Sequence, residues 1–469
     1  MIFLKHSTEL KRNLQQRHIT MMSLGAAIGV GLFLGSASAI KMAGPAVLVA
    51  YMIGGAAILL IMRALGEMAI HQPVAGSFSY YARKYLGPLA GFLTGWNYWF
   101  LWIVTCMAEI TAVGVYMKVW FPSSPSWIWA LAALVCMTLV NIITVKAYGE
   151  FEFWFALIKI VTILAMIAVG LFAILFGIGN GGVATGIHNL WSHGGFFPHG
   201  VKGMLMSLQM VMYAYLGIEM IGVTAGEVKN AKKALSRAVD TVFWRILFFY
   251  VGALFVMMSI YPWTDIGTQG SPFVLMFSKV GIPGAAGIIN FVVLTAALSS
   301  CNSGIFSTAR MLYSLAEERL APSSMQNVGS RGVPTRAVAI SAGALLIGVV
   351  LNYLVPQNVF TWVTSIATFG AIWTWIVILV AQMKFRKSLS PEERKNLSYR
   401  MPFWPYGSYL SLAFLAMVIV LMGYFPDTRI ALVVGPLWIV LLVAVYYGKG
   451  LHKLTSAAKE QGEETLTAS

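Results

Sequence analysis

Charge is scarce in this chain of 469 residues: 10% are charged and 58% are hydrophobic. Soluble domains carry about 25% charged residues, so a soluble globular protein is excluded. Cysteine is scarcer still. Cys106, Cys136 and Cys301 all lie in apolar segments and form no spaced pair. This excludes a disulfide framework and a cysteine zinc site, and predicts buried free thiols. None of the seven histidines falls in an apolar segment. His188, His193 and His199 share the run "GIHNLWSHGGFFPHG", which reads as a polar loop rather than a metal site. No long hydrophilic stretch is present either. The longest, 178–201, 225–241, 318–334 and 383–404, are too short for a separate soluble domain. The charge run "KFRKSLSPEERKNLSYR" (384–400) reads as a solvated connector. No nucleophile–base or phosphate-cradling motif stands out. "GIGNGG" (177–182) lacks the Lys and the following helix of a P-loop. The expectation is therefore no enzyme, no cofactor and no metal, with energy drawn from a gradient rather than from ATP.

What the chain has in abundance is apolar sequence. A membrane-crossing helix needs about 20 mostly apolar residues. Such stretches recur near 20–43, 46–70, 90–118, 126–145, 153–177, 202–224, 242–262, 284–309, 335–355, 358–382, 405–424 and 430–448. The fold class is all-α: a polytopic membrane protein of about twelve spans, without the short alternating segments of a β-barrel. The polar, basic opening "MIFLKHSTELKRNLQQRH" shows no cleavable signal, so the first span is expected to serve as the signal.

The net charge of +15 is distributed by side. With the N-terminus placed inside, only Lys41, Lys118, Lys202, Lys279 and Arg429 fall outside, and Arg63 and Lys159 fall within spans. All other Lys and Arg are then cytoplasmic, the positive-inside pattern. The basic balance thus encodes topology with both termini cytoplasmic, and no nucleic-acid partner is implied. Trp120, Trp127, Trp263, Trp404 and Trp438 near span ends read as interface anchors.

Two spans are interrupted. The first contains "SLGAAIGVGLFLGSA" (23–37), with Gly29 and Gly31 flanking one residue. Gly25 and Gly35 fit small-residue packing. Two glycines so close favour unwinding, because glycine tolerates unusual backbone angles and leaves the main chain accessible. The sixth span is interrupted at "YAYLGIE" (213–219). Five spans separate the starts, which suggests an inverted repeat, and paired broken segments point to a secondary transporter's binding site. Opened N–H groups at a half-helix start suit a carboxylate, and freed carbonyls suit an ammonium. An α-amino acid offers both. Tyr213 and Tyr215 stand in the second break, where a side chain can close over a ligand.

Ionisable residues inside spans are costly and mark function or structural pairing. Arg63 and Glu67, four apart, read as an ion pair on one helix face. Glu219 follows the second break and reads as functional, and Glu109 is mid-span. Lys159 either snorkels to the interface or, since burial disfavours the charged amine, serves as a proton-coupling group.

The runs "IGVGLFLGSA" (28–37), "AGPAVLVAYMIGG" (43–55), "MRALGEMA" (62–69), "GSFSYYARKYLGPLAGFLTGW" (76–96), "YGEFEFWFALIKI" (148–160), "GIEMIGVTAGE" (217–227) and "NFVVLTAALSSCNSGIFSTARMLY" (290–313) span nearly the whole sequence. Together they resemble the bacterial amino acid permeases of the amino acid–polyamine–organocation superfamily, in the amino acid transporter subfamily. The proline-type and threonine/serine-type permeases are nearest in flavour.

The resemblance implies a LeuT-type fold in the bacterial cytoplasmic membrane. It places a first five-helix repeat at 20–177, an inverted second repeat at 202–382 and two further helices at 405–448, between tails 1–19 and 449–469. It implies proton-coupled uptake of a neutral L-amino acid, such as proline, threonine or serine, by alternating access. The substrate site it implies comprises Ala27, Gly29, Val30, Gly31, Tyr213, Ala214, Tyr215 and Leu216. Lys159, Glu219 and Glu109 are the candidates for proton coupling and gating. Many relatives have Thr or Ser where this chain has Val30, so recognition there must come from the main chain. An amino acid exchanger, including one for cationic amino acids, and a transporter-like nutrient receptor stay open as alternatives. So do the substrate's side chain and the oligomeric state.

Overall fold

The computed structural model describes residues 28–74, 77–143, 145–177, 181–223, 231–267, 270–279, 284–329 and 332–453. Ala27, Gly25, most of both tails and residues 224–230 lie outside the described residues.

The protein is a polytopic helical membrane protein. The first span, α1, begins as a π-helical turn, Gly31–Gly35, and continues as Ser36–Ala43. A tight turn, Gly44–Ala46, reverses it into α2 (Val47–His71). The following spans are α3 (Pro88–Met117), α4 (Ser126–Ile143) and α5 (Val145–Phe176). The sixth, α6, is split into Gly200–Ala214 and Met220–Val223. The seventh, α7, runs through Val242–Arg245, a π-helical stretch Ile246–Gly252 and Ala253–Ile260. The remainder are α8 (Ala285–Glu317), α9 (Thr335–Leu354), α10 (Val359–Ser388), α11 (Tyr406–Tyr424) and α12 (Ile430–Gly448).

Nine uninterrupted runs among the described residues are long and apolar enough to cross a membrane, and the first of them contains both α1 and α2. Interruption leaves α6 and α7 too short to qualify alone, which reconciles nine runs with twelve sequence segments.

Burial divides the bundle. Of the apolar window of α3, 83% is covered by protein, against 22% for α12. The most extensive packing joins α3 to α8, and α10 lies along α3. Without a hydrophobic drive between helices in lipid, close packing and polar contacts hold them. Asn97 Nδ2 donates to the Gly370 carbonyl at 2.9 Å, tying α3 to α10. Asn352 Nδ2 donates to Thr111 Oγ1 at 2.8 Å between α9 and α3. Asn141 Nδ2 donates to Asn302 Oδ1 at 2.8 Å between α4 and α8. Cys106 and Cys301 are buried free thiols, but Cys136 is exposed on α4, because α4 is peripheral.

The basic end of the bundle departs from one expectation. Arg63 and Glu67 do not pair with each other. Arg63 reaches Asp240 at 3.2 Å and lies 4.7 Å from the centre of the Tyr399 ring. Glu67 is instead fully engaged. It accepts from Arg386 Nε at 2.6 Å and Nη2 at 2.8 Å, from Gln382 Nε2 at 3.1 Å and from the Met401 N–H at 2.6 Å. A bidentate guanidinium suits a carboxylate better than a helix neighbour does.

The run 384–400 keeps its charged side chains exposed apart from Arg386, as expected of a solvated connector, but it is not irregular. It extends α10 and then forms a short helix, Pro391–Lys395, started by a Ser390/Glu393 capping box that holds the Glu393 carboxyl below its usual range. It then docks back through Leu397, Tyr399 and Met401, all buried. Burial, with the contact to Asp240, pushes the Tyr399 phenol above its usual range.

Glu67→Ala strands the Arg386 guanidinium and should destabilise the purified protein by about 3–5 kcal/mol. Arg63→Ala, at a pair partly open to solvent, should cost under about 1 kcal/mol. Thermal unfolding in detergent compares the two, and equal shifts would contradict this account of Glu67.

Candidate functional site

The interrupted helices meet in the middle of the bundle. Residues 28–30 precede the π-helical turn of α1, and the Gly29 carbonyl accepts from the Leu32 and Phe33 N–H groups at 3.1 and 3.3 Å. Neither Gly29 nor Gly31 has a positive φ. The freedom they supply is close approach. A Cβ on Gly31 would sit 2.6 Å from the Ala214 Cα, so the two breaks touch main chain to main chain. A Cβ on Gly29 would sit 2.9 Å from Glu109 Oε1 and 3.3 Å from Ser300 Oγ. The glycine that does need left-handed geometry is Gly217, with φ of 94° in the break of α6.

That second break is a succession of tight turns. The N–H groups of Tyr215, Leu216, Ile218 and Met220 each donate to the carbonyl three residues back. Glu219, fully buried, folds over it and accepts from the Gly217 N–H at 3.3 Å. The Trp375 indole of α10 lies near the same carboxylate. Glu219 therefore links the α6 break to α10. The Ala214 carbonyl, freed where α6 stops, accepts from Tyr250 Oη at 2.8 Å, a residue carried by the π-helical stretch of α7.

Glu109 of α3 stands beside the first break, facing the Val30 N–H and the Ser300 side chain. The main-chain N–H at position 30 thus lies near a carboxylate of the protein itself. Glu109 Oε2 has no hydrogen-bond partner, and neither do the buried hydroxyls of Tyr116 and Tyr213, which neighbour it. Tyr98 Oη and Glu219 Oε2 are likewise without a hydrogen-bond partner. Buried polar groups left unpaired are rare and call for a functional account.

Lys159 does not snorkel. It is fully buried. Its Nζ donates at 3.1 Å both to the Ile28 carbonyl at the α1 break and to Ser299 Oγ of α8. Ser299 Oγ lies 2.9 Å from each oxygen of Glu152, also fully buried.

Of the expected site residues, Gly29, Val30, Gly31, Tyr213, Ala214, Glu109, Lys159 and Glu219 come together around the two breaks. Leu216 is buried within the second break. Tyr215 points elsewhere: it is buried between α2 and α7, with its hydroxyl on the Tyr51 carbonyl at 2.6 Å and its ring 5.8 Å from Tyr51 and 5.1 Å from Tyr250. Sequence reasoning missed Glu152, Ser299, Ser300, Tyr250 and Trp375. Glu152 was recoverable, since it lies two helical turns before Lys159 on the same face. Ser299 and Ser300 belong to the polar run "SSCNS" within an apolar helix.

A cavity of about 550 Å³ lies away from this centre, between the end of α1 and the start of α6 and lined by Ser38, Lys41, Met42, His199, Lys202, Gly203 and Met206. His188, His193 and His199 do not converge: His193 contacts Ser192, and His199 contacts the Met42 carbonyl.

Comparison with known proteins matches residues 18–456 to the amino acid permease family model. The chain belongs to the amino acid permease family. It is 71% identical over 457 residues to the uncharacterized amino acid permease YtnA of Bacillus subtilis strain 168, covering 97% of this chain and 99% of that protein. It is 49% identical over 456 residues to the probable threonine/serine transporter YbxG of the same organism, covering 97% and 98%. It is 48% identical over 438 residues to the amino-acid permease AapA, covering 93% and 95%. The site therefore sits in a membrane permease for amino acids.

The permease geometry ranks two substitutions. Gly31→Ala must push the α1 and α6 backbones apart, whereas Gly29→Ala meets only the side chains of Glu109 and Ser300. Overpacking costs about 1–3 kcal/mol, so Gly31→Ala should cut amino acid uptake by about tenfold or more, and Gly29→Ala by less. Uptake normalised to folded protein reads the order, and the reverse order would contradict the apposition.

Proposed function

We propose that this permease imports neutral L-amino acids together with protons, across a bacterial cytoplasmic membrane, with both termini cytoplasmic. The observation that carries the reading is the contact of Gly31 with Ala214 at the centre of the bundle. Two interrupted helices there bring main-chain groups beside the unpaired Glu109 Oε2, Tyr116 and Tyr213. Main-chain N–H and C=O groups in discontinuous helices suit the two charged ends of a zwitterion. The paired breaks also support an inverted repeat of the LeuT type, with α1–α5 and α6–α10 as the repeats and α11 and α12 as additions. Alternating access would then separate and rejoin the α1–α6 contact. A relative named as a probable threonine/serine transporter favours small neutral substrates.

Proton coupling is assigned to Lys159. Its ammonium holds the Ile28 carbonyl, so its proton state bears directly on the segment that must move. Glu219 carries movement of the α6 break to α10 through Trp375.

Purified protein in liposomes should accumulate labelled threonine, serine or proline when the lumen is alkaline, and competition by the twenty amino acids identifies the substrate. Lys159→Met should abolish accumulation driven by the pH gradient while sparing exchange of internal for external substrate. Undiminished gradient-driven uptake in Lys159→Met would sink the coupling assignment, and absence of net uptake into empty vesicles would favour an obligate exchanger.

A further inference from the structure

Lys159 is one end of a connected hydrogen-bond chain whose other end is Glu152. Its ammonium donates to Ser299 Oγ at 3.1 Å, and Ser299 Oγ is 2.9 Å from Glu152 Oε1 and Oε2. All three residues are fully buried. They come from two helices, α5 and α8. A serine hydroxyl both accepts and donates, so the direction is fixed: amine to hydroxyl to carboxylate. Seven residues of helix separate Glu152 from Lys159, about 10 Å along α5 at 1.5 Å per residue. Glu152 lies toward the start of α5, the end at which α2 finishes and the basic connectors gather.

We propose that Lys159, Ser299 and Glu152 form a proton relay that leads from the α1 break toward the basic end of the bundle. In the transfer the Lys159 ammonium gives a proton to Ser299 Oγ while Ser299 gives its own proton to a Glu152 oxygen. One N–H and one O–H bond break, and one O–H bond forms on each of Ser299 and Glu152. Ammonium and carboxylate become amine and carboxylic acid, the serine is unchanged, and the net charge stays zero. The amine then takes up the incoming proton, and Glu152 releases its proton toward the basic end, which restores the ion pair.

Among the described residues, groups from α1, α3 and α8 face this chain. Glu109 of α3 acts on Lys159 from the side of the α1 break. From α8, Ser303 and Asn302 lie near Glu152 beside Ser299. From α1 the contact is the Ile28 carbonyl. Glu109 thus stands at the entry of the relay and Glu152 at its exit.

The relay rests on the coupling role of Lys159, and Ser299 separates the two ideas. Ser299→Ala removes the bridging hydroxyl with little change in volume, and Ser299→Thr retains it. Vesicles carrying each variant are assayed for uptake driven by a pH gradient and for counterflow at equal pH. Ser299→Ala and Glu152→Gln should each lower gradient-driven uptake by about 100-fold, the lower range for a positioned proton-transfer group. Counterflow should stay within about twofold, and Ser299→Thr should recover most of the uptake. Gradient-driven uptake that survives in Ser299→Ala overturns the relay. Equal loss of uptake and counterflow in Ser299→Ala, unrepaired by Thr, also overturns it, since that pattern marks packing. If Lys159→Met uncouples transport while Ser299→Ala and Glu152→Gln do not, the relay alone falls. If Lys159→Met stays coupled, the coupling role falls with it.

Discussion

A broken helix inside a bilayer must find new partners for its main chain, because hydrocarbon offers none and each unpaired group costs several kcal/mol. The rest of this site follows from that constraint. The Ile28 carbonyl at the α1 break is held by Lys159, and the Ala214 carbonyl at the α6 break by Tyr250. The Gly217 N–H is held by Glu219. Each partner comes from a side chain that would be expensive or idle elsewhere in a membrane span. The buried ionisable residues are therefore where the interruptions need them.

Those partners also connect the breaks to the bundle. Lys159 brings α5, and with Ser299 and Glu152 it brings α8. Tyr250 brings α7, whose π-helical stretch carries that hydroxyl. Trp375 of α10 lies near Glu219. A rearrangement at either break must remake these bonds, which gives the protein discrete arrangements rather than continuous flexing. At the far end, Glu67 binds α2 to α10 and to the following connector with every lone pair engaged. That cluster is a fixed joint, whereas the centre retains unpaired groups such as Glu109 Oε2 and the Tyr213 hydroxyl.

Much of this was legible in advance. The segments of α2 to α5 and α8 to α12 appear in the sequence because length and apolarity alone define a span. Both interruptions were visible as glycine and polar residues where a span should be uniform. Local spacing failed where partners are distant in sequence. Arg63 and Glu67 look like a pair at four residues' separation, yet each finds a better-placed partner on another element. Tyr215 looks like a lid over the break but turns into the α2–α7 interface. Glu152 escaped notice because it lies at the edge of an apolar run.

The sequence by itself determined the class of protein, the number of crossings and the positions of the two breaks. These are properties of one segment at a time, set by the energetics of placing residues in lipid. Only the tertiary structure decided that Gly31 meets Ala214, that Lys159 grips Ile28 rather than reaching for the interface, and that Ser299 bridges it to Glu152. Those contacts join residues up to 183 positions apart. No local pattern encodes them, because they depend on which helix faces lie together once the bundle has packed.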